Sequence, residues 1–376
     1  MTPKTLLILG GSGNAGFSIA HLLLRETPVQ LVVAGRRADR ARFTAGELNA
    51  SALTENWEYR VSSLALDTAD TAALTAAFAQ VDCVVVAAST SHTANIAAAL
   101  VATGVDCLDI REHPGELAAL LAARETLTQA GCCYIAQAGF FPGLPAALVR
   151  YLAPGLVALD AVSVNLLTRI DWSQLAVGPS TLREFAHSLH AFESRVYRRG
   201  AWRKAAWWRG DYRRVKFNAE FPAVTCAPLA VPEIDGLLEC YPSLQKLDFN
   251  AAGFNAFVDY LVLPLIRSTQ APPGLRVQKW LNWGLTQFSK PPFGCFLQAT
   301  LDGRDARRRK RIEATLGHRN GYDLTAIAAV AVLQQYLDGS LKQPGLHYQG
   351  LLVEPVRLLA EMQRLGASLT VTEHFF

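Results

Sequence analysis

Thr5-Leu6-Leu7-Ile8-Leu9-Gly10-Gly11-Ser12-Gly13-Asn14-Ala15-Gly16-Phe17 is the stretch that decides the fold. An apolar strand, Thr5–Gly10, runs into a glycine cluster. From Phe17 to Glu26 the apolar residues then recur at helical spacing. Gly11, Gly13 and Gly16 make G-x-G-x-x-G between a strand and a helix, the context a dinucleotide-binding fingerprint requires. In that reading Gly11 permits the tight turn and Gly13 lets backbone approach a pyrophosphate. Gly16 lets the helix pack closely, and the amides of Ser12, Asn14 and Ala15 lie beside the phosphates at a helix N-terminus.

Strand and helix signals alternate outward from the loop. Gln30–Gly35 is a strand, Ala38–Asn49 a polar helix, and a weaker strand precedes Asp67. An Ala-rich helix covers Thr71–Gln80. Cys83–Ala88 is a continuous run of the kind buried on both faces of a parallel sheet. Thr93–Thr103, Val105–Ile110, Pro114–Ala130 and Cys132–Ala138 complete the series as helix, strand, helix and strand. Six strands separated by five helices predict an α/β fold, a Rossmann-type doubly wound parallel sheet. At the end of the second strand an NAD site carries an acid for the ribose 2′-OH. Arg36 and Arg37 stand there instead, and two guanidiniums suit a 2′-phosphate, so the expected cofactor is NADP(H).

The 376 residues are 51% hydrophobic and carry a formal net charge of +4, which excludes disorder. No stretch has the roughly 18 uninterrupted apolar residues of a membrane span, so stable membrane insertion is not expected. Seven cysteines without metal-ligand spacing point to reduced thiols in the cytoplasm and to no metal site. Residues 1–150 hold 10 Lys+Arg against 13 Asp+Glu, leaving 26 against 19 for the remainder. The sign thus changes from −3 to +7 near residue 150, hinting at a boundary and at an anionic ligand for the second half. All but one of the seven Trp lie between residues 160 and 320.

The segments GGSGNAG, VVAGRR, Val84–Ala88 with Ser89-Thr90, Cys107-Leu108-Asp109 and Ala138–Pro145 together resemble the saccharopine dehydrogenase-like reductases. So does the tail from Gly321-Tyr322-Asp323 to Leu365-Gly366-Ala367. The resemblance implies an NADP-binding domain, 1–147 with 321–376, interrupted by an α+β substrate and dimerisation domain, 148–320. It implies hydride transfer at a carbon–nitrogen bond and a homodimer. Phe141 departs from the family, which often has Asp at that place.

Ser89, Thr90, Gly139 and Phe140 are expected beside the cofactor, and Phe141, Pro142 and Gly143 in the substrate cleft. Asp109, Glu112 and His113, at the fifth strand's end, are the catalytic candidates. His113 is the first choice as proton shuttle because imidazole titrates near neutrality. Arg195–Lys216 holds nine bases and one acid among aromatics. It reads as a carboxylate-binding or subunit-contact face and not as a nucleic-acid module. Tyr212 and Lys216 match the Y-x-x-x-K spacing of short-chain dehydrogenases. They do so in a β-like stretch where i and i+4 do not face each other, so the match reads as chance. The leading expectation is an NADP-dependent reductase of an imine formed from a small, anionic, amino-acid-like substrate. The alternatives are a carbonyl or enoyl reductase on the same fold and a non-catalytic NADP(H) sensor.

Overall fold

The computed structural model describes residues 3–54, 60–112, 116–174, 179–268, 272–306 and 308–376. Within them the chain forms two compact units, Met1–Ala147 with Tyr322–Leu365 and Leu148–Gly321 with Gly366–Phe376.

The first unit is built on β1 (Thr5–Leu9), β2 (Gln30–Gly35), β3 (Val61–Ala65), β4 (Cys83–Val86), β5 (Asp106–Asp109) and β6 (Cys133–Ala136). All pair in parallel, in the order β6-β5-β4-β1-β2-β3. Parallel neighbours need crossovers. These are α1 (Asn14–Glu26), α2 (Ala38–Thr54), α3 (Thr71–Phe78) and α4 (Thr93–Thr103), followed by the short helices Leu117–Ala122 and Arg124–Gln129. The single helix expected over Pro114–Ala130 is thus two, and Pro114 lies outside the described residues. Every residue of β4, β5 and β6 is buried, which explains their unbroken apolar runs. Leu7, Leu9, Val84 and Val86 pack with Phe78, Leu100 and Leu127 into one core.

The tail returns to this sheet. Its strand Gly345–Tyr348 pairs in parallel with β6. Helix Gly321–Leu337 carries Tyr336, whose hydroxyl donates to Asp106 Oδ2 at 2.8 Å. Asp106 Oδ1 also accepts from the Cys133 amide at 2.7 Å, so one buried carboxylate joins β5, β6 and the tail.

The second unit centres on a mixed sheet. Its strands are β7 (Ala158–Arg169), β8 (Arg195–Arg198), β9 (Ala201–Lys204), β10 (Arg213–Val215), β11 (Val224–Pro228), β12 (Lys246–Ala252), β13 (Gly294–Arg304) and β14 (Arg309–His318). Strands β7 and β12 run parallel, while β13 pairs antiparallel with both β7 and β14. The register separates two faces. Val162, Val164, Leu297, Ala299, Leu301, Ile312, Ala314 and Leu316 are buried on one. Ser163, Asn165, Gln298, Thr300, Asp302 and Glu313 share the other, where an open groove of about 440 Å³ lies.

One expectation changes here. The last strand, Ser368–Phe375, pairs with β14 in this second sheet, so the chain beyond Leu365 does not stay with the dinucleotide unit. Asp302 and Gly303 are paired strand residues opposite Arg311 and Lys310, so the hairpin turns later than their turn-forming chemistry suggests. Lys310 and Arg311 are not a sheet edge, since the terminal strand covers β14 on that side. Lys310 is 9% exposed and 2.9 Å from Glu373.

Candidate functional site

The glycine loop leaves β1 and enters α1 as its spacing predicts. Gly10, one residue before the expected Gly11, takes the left-handed conformation at φ +80. A Cβ at Gly10 would lie 2.7 Å from the Ala88 Cα at the end of β4. One at Gly16 would lie 2.3 Å from the Gly10 carbonyl oxygen. Neither position admits a side chain, and both contacts are with backbone that cannot swing aside. Gly13 is exposed at the N-cap of α1, and its amide donates to Gly10 O at 2.9 Å. The amides of Asn14, Ala15 and Gly16 have no carbonyl one turn earlier within the helix to bond. A turn without side chains, opening onto the positive end of a 13-residue helix, fits a diphosphate. Ser12 ties this loop to α2 by donating to Arg40 O at 3.4 Å.

The two arginines after β2 are not equivalent. Arg37 is committed to Asp39 at 3.0 Å, with both side chains exposed. That hydrogen bond and charge raise the arginine's pKa and lower the acid's. Arg36 is exposed and makes no ion pair among the described residues. Of the pair expected to grip a 2′-phosphate, Arg36 is the uncommitted guanidinium.

Farther along the carboxyl edge, Ser89 is exposed, whereas Thr90 is built into the framework. Thr90 Oγ1 lies 2.7 Å from Thr68 Oγ1 and accepts from the His92 amide at 3.1 Å. Its carbonyl accepts from Arg111 Nη1 at 3.1 Å.

Asp109 is fully buried. Its carboxylate accepts from Arg111 Nη2 at 2.7 Å, from the Arg111 amide at 3.0 Å and from the Tyr134 hydroxyl at 2.6 Å. Desolvation and the neighbouring Asp109 charge push the Tyr134 phenol far above its ordinary value. Asp109 is therefore a buried anion that holds the β5 turn through Arg111 and Tyr134. Tyr134 did not stand out in the sequence, and Arg111 did so only as a departure from the family, which usually has small residues and an acid after Asp109. Tyr134 lies inside an apolar strand, and Arg111 carries no motif.

Glu112 differs. It is partly buried, forms no hydrogen bond or ion pair among the described residues, and burial raises its carboxyl to about 7. His113 lies outside the described residues.

After β6 the chain makes a compact turn. Gln137 is buried at φ +55. Gly143 is at φ +127, and a Cβ there would sit 2.0 Å from Gln137 O. Gln349, just beyond the neighbouring tail strand, donates Nε2 to Gly139 O at 3.2 Å. Both glutamines have a buried, unpartnered Oε1. Gly139, Phe140, Pro142 and Gly143 are buried, and Phe141 alone of this group is partly open.

In the second unit four of the nine bases of the basic–aromatic stretch are held in ion pairs. Arg195 pairs with Asp235 at 2.6 Å and stacks 4.3 Å from the Trp202 ring. Arg198 and Arg213 share the fully buried Asp248, and Arg203 holds Asp211 at 2.7 Å. Part of the expected anion-binding face is thus an ion-pair framework, while Arg214 and Lys216 line the open groove of the second sheet. Tyr212 directly precedes β10 and is exposed, and Lys216 directly follows that strand. The Y-x-x-x-K pair is not on a helix.

Residues 6–134 match the family model described as the saccharopine dehydrogenase NADP binding domain. Among solved structures, apo saccharopine dehydrogenase (L-Glu forming) from Saccharomyces cerevisiae superposes with a TM-score of 0.70. It is 14% identical, and the match covers 99% of this chain and 100% of that one. At this identity the likeness shows the fold. The C. glutamicum DAP dehydrogenase in complex with DAP is 13% identical over 95% of this chain and 96% of its own, with a TM-score of 0.48. An oxidoreductase from Agrobacterium radiobacter in complex with NAD+, L-tartaric acid and magnesium is 11% identical over 96% and 95%, also at 0.48. No curated protein sequence matches the chain. Over residues 6–134 its glycine loop and parallel strands are thus similar to those of a saccharopine dehydrogenase NADP binding domain.

Proposed function

We propose that the protein is an NADP(H)-dependent reductase of a carbon–nitrogen double bond formed from a small, anionic, amino-acid-like substrate. The observation that carries this reading is Glu112, a carboxyl without a partner among the described residues, raised by burial to about 7 at the same sheet edge as the glycine loop. Reducing an imine takes a hydride at carbon and a proton at nitrogen. A bound nicotinamide supplies the hydride. A carboxyl whose pKa is near the working pH suits the proton. In this reading Gly13, Asn14, Ala15 and Gly16 hold the diphosphate and Arg36 the 2′-phosphate. Ser89 and the 137–143 turn flank the nicotinamide end, where buried Oε1 atoms lack partners.

Two measurements test the proposal. Arg36→Ala is expected to weaken NADPH binding by about 10- to 100-fold, the worth of a charge-assisted pair, with NADH little changed. Arg37→Ala is expected to do much less, because Asp39 already occupies its guanidinium. Equal losses for both cofactors would remove the 2′-phosphate assignment. NADPH consumption should require a keto acid together with an amine. Turnover with the carbonyl or an enoyl compound alone would replace the imine by those substrates. Tight NADPH binding without turnover of any of them would make the protein a sensor.

A further inference from the structure

The π-helical turn Val258–Val262, which runs on into helix Leu263–Ser268, and helix Leu275–Gln287 of the second unit pack with Pro179–Ala191 around Ala186, Ile266, Leu281 and Leu285. Their inner faces account for the apolar periodicity. Their outer faces are also aromatic, which a solvated helix pair does not need. Tyr260 is 80% exposed, Leu261 53%, Leu275 74%, Trp280 51% and Trp283 49%. Part of this surface is one ring cluster. Phe257, one helical turn before Leu261, lies 5.0 Å from the Trp283 ring and 5.6 Å from Phe288, which is itself 40% exposed. The fringe is basic: residues 254–290 contain Arg267, Arg276, Lys279 and Lys290 but only one acid, Asp259. That acid faces inward and accepts from the Phe254 amide at 2.9 Å.

We infer that this aromatic, basic helix pair docks the protein on an anionic lipid surface. Tryptophan and tyrosine join an apolar ring to a polar tip, which suits the boundary between headgroups and acyl chains. Arg276, Lys279, Trp280, Trp283 and Gln287 fall on one exposed helical stripe, so cations accompany the rings into the headgroup layer. Self-association through the same patch would oppose like charges. An anionic bilayer instead complements them. Among the described residues no helix is long and apolar enough to cross a membrane, and the docking inferred here is interfacial.

The test is sedimentation of the full chain with phosphatidylglycerol or phosphatidylcholine vesicles, with brominated acyl chains to quench tryptophans that reach the apolar layer. Binding and quenching are expected on the anionic vesicles and are expected to fall as salt is raised. Lys279→Glu should weaken binding by roughly 30-fold, the effect of reversing one charge near the surface. The double variant Tyr260→Glu, Leu261→Glu should weaken it by about tenfold or more with an unchanged melting temperature, since both side chains are exposed. Equal binding to both lipids, or full binding by the double variant, would overturn the inference. So would a change of oligomeric state in the double variant when the parent binds no vesicles, because the patch would then be a subunit contact.

Discussion

Asp109→Ala is expected to cost about 3–5 kcal/mol of folding stability, the range for breaking a buried ion pair from one side. The substitution strands two partners at once. Arg111 is left charged in a poorly solvated turn, and the Tyr134 hydroxyl, buried in β6, loses its acceptor. The asymmetry of buried hydrogen bonds makes that penalty larger than the bonds' net worth. Urea denaturation of the parent and the variant measures it. The double variant Asp109→Ala, Arg111→Met should recover much of the loss, because no unpaired charge then remains. A single-variant loss below about 1 kcal/mol would show that water reaches this turn and that the carboxylate is not sealed.

Glu112→Gln is expected to lower kcat by about 10²- to 10⁴-fold, the usual worth of a general acid, while leaving NADPH affinity unchanged. Stability should move the other way, and its sign follows from the direction of the shift. The parent carboxyl is raised from 4.5 to about 7 on folding, so between those values the folded chain binds more protons than the unfolded one. The stability that Glu112 contributes is full below pH 4.5 and is lost as pH rises through 7. Glutamine does not titrate, so the variant should gain on the parent across this window and keep the advantage at alkaline pH. An inactive variant that is also destabilised at every pH would assign Glu112 a packing role and leave the proton donor elsewhere. Unchanged kcat would remove Glu112 from the reaction.

The dinucleotide unit was legible because its determinants are local. A glycine cluster between strand and helix, and runs such as Cys83-Val84-Val85-Val86, carry their structural meaning within a few residues. What was misplaced depends on contacts distant in sequence. Gly10 rather than Gly11 takes the left-handed turn, with no room for a side chain against Ala87 and Ala88 of another strand. The burial of Asp109 depends in the same way on Tyr134, 25 residues later in the chain. The acids that pair part of the basic stretch, Asp235 and Asp248, lie 40 and 50 residues from their arginines. Glu112 was identified by position alone, and only the burial of its carboxyl separates it from an ordinary surface acid.

The late strands also constrain how the protein is made. Gly345–Tyr348 borders the first sheet and Ser368–Phe375 borders the second, although both sheets begin hundreds of residues earlier. During synthesis, therefore, neither unit can close its sheet while the ribosome is still short of these strands. The nascent Rossmann half emerges with the β6 edge bare and an apolar helix-binding surface unfilled, a state exposed to mispairing. Either half produced alone is therefore expected to be insoluble, and soluble yield of the full chain to rise when chaperones are co-expressed.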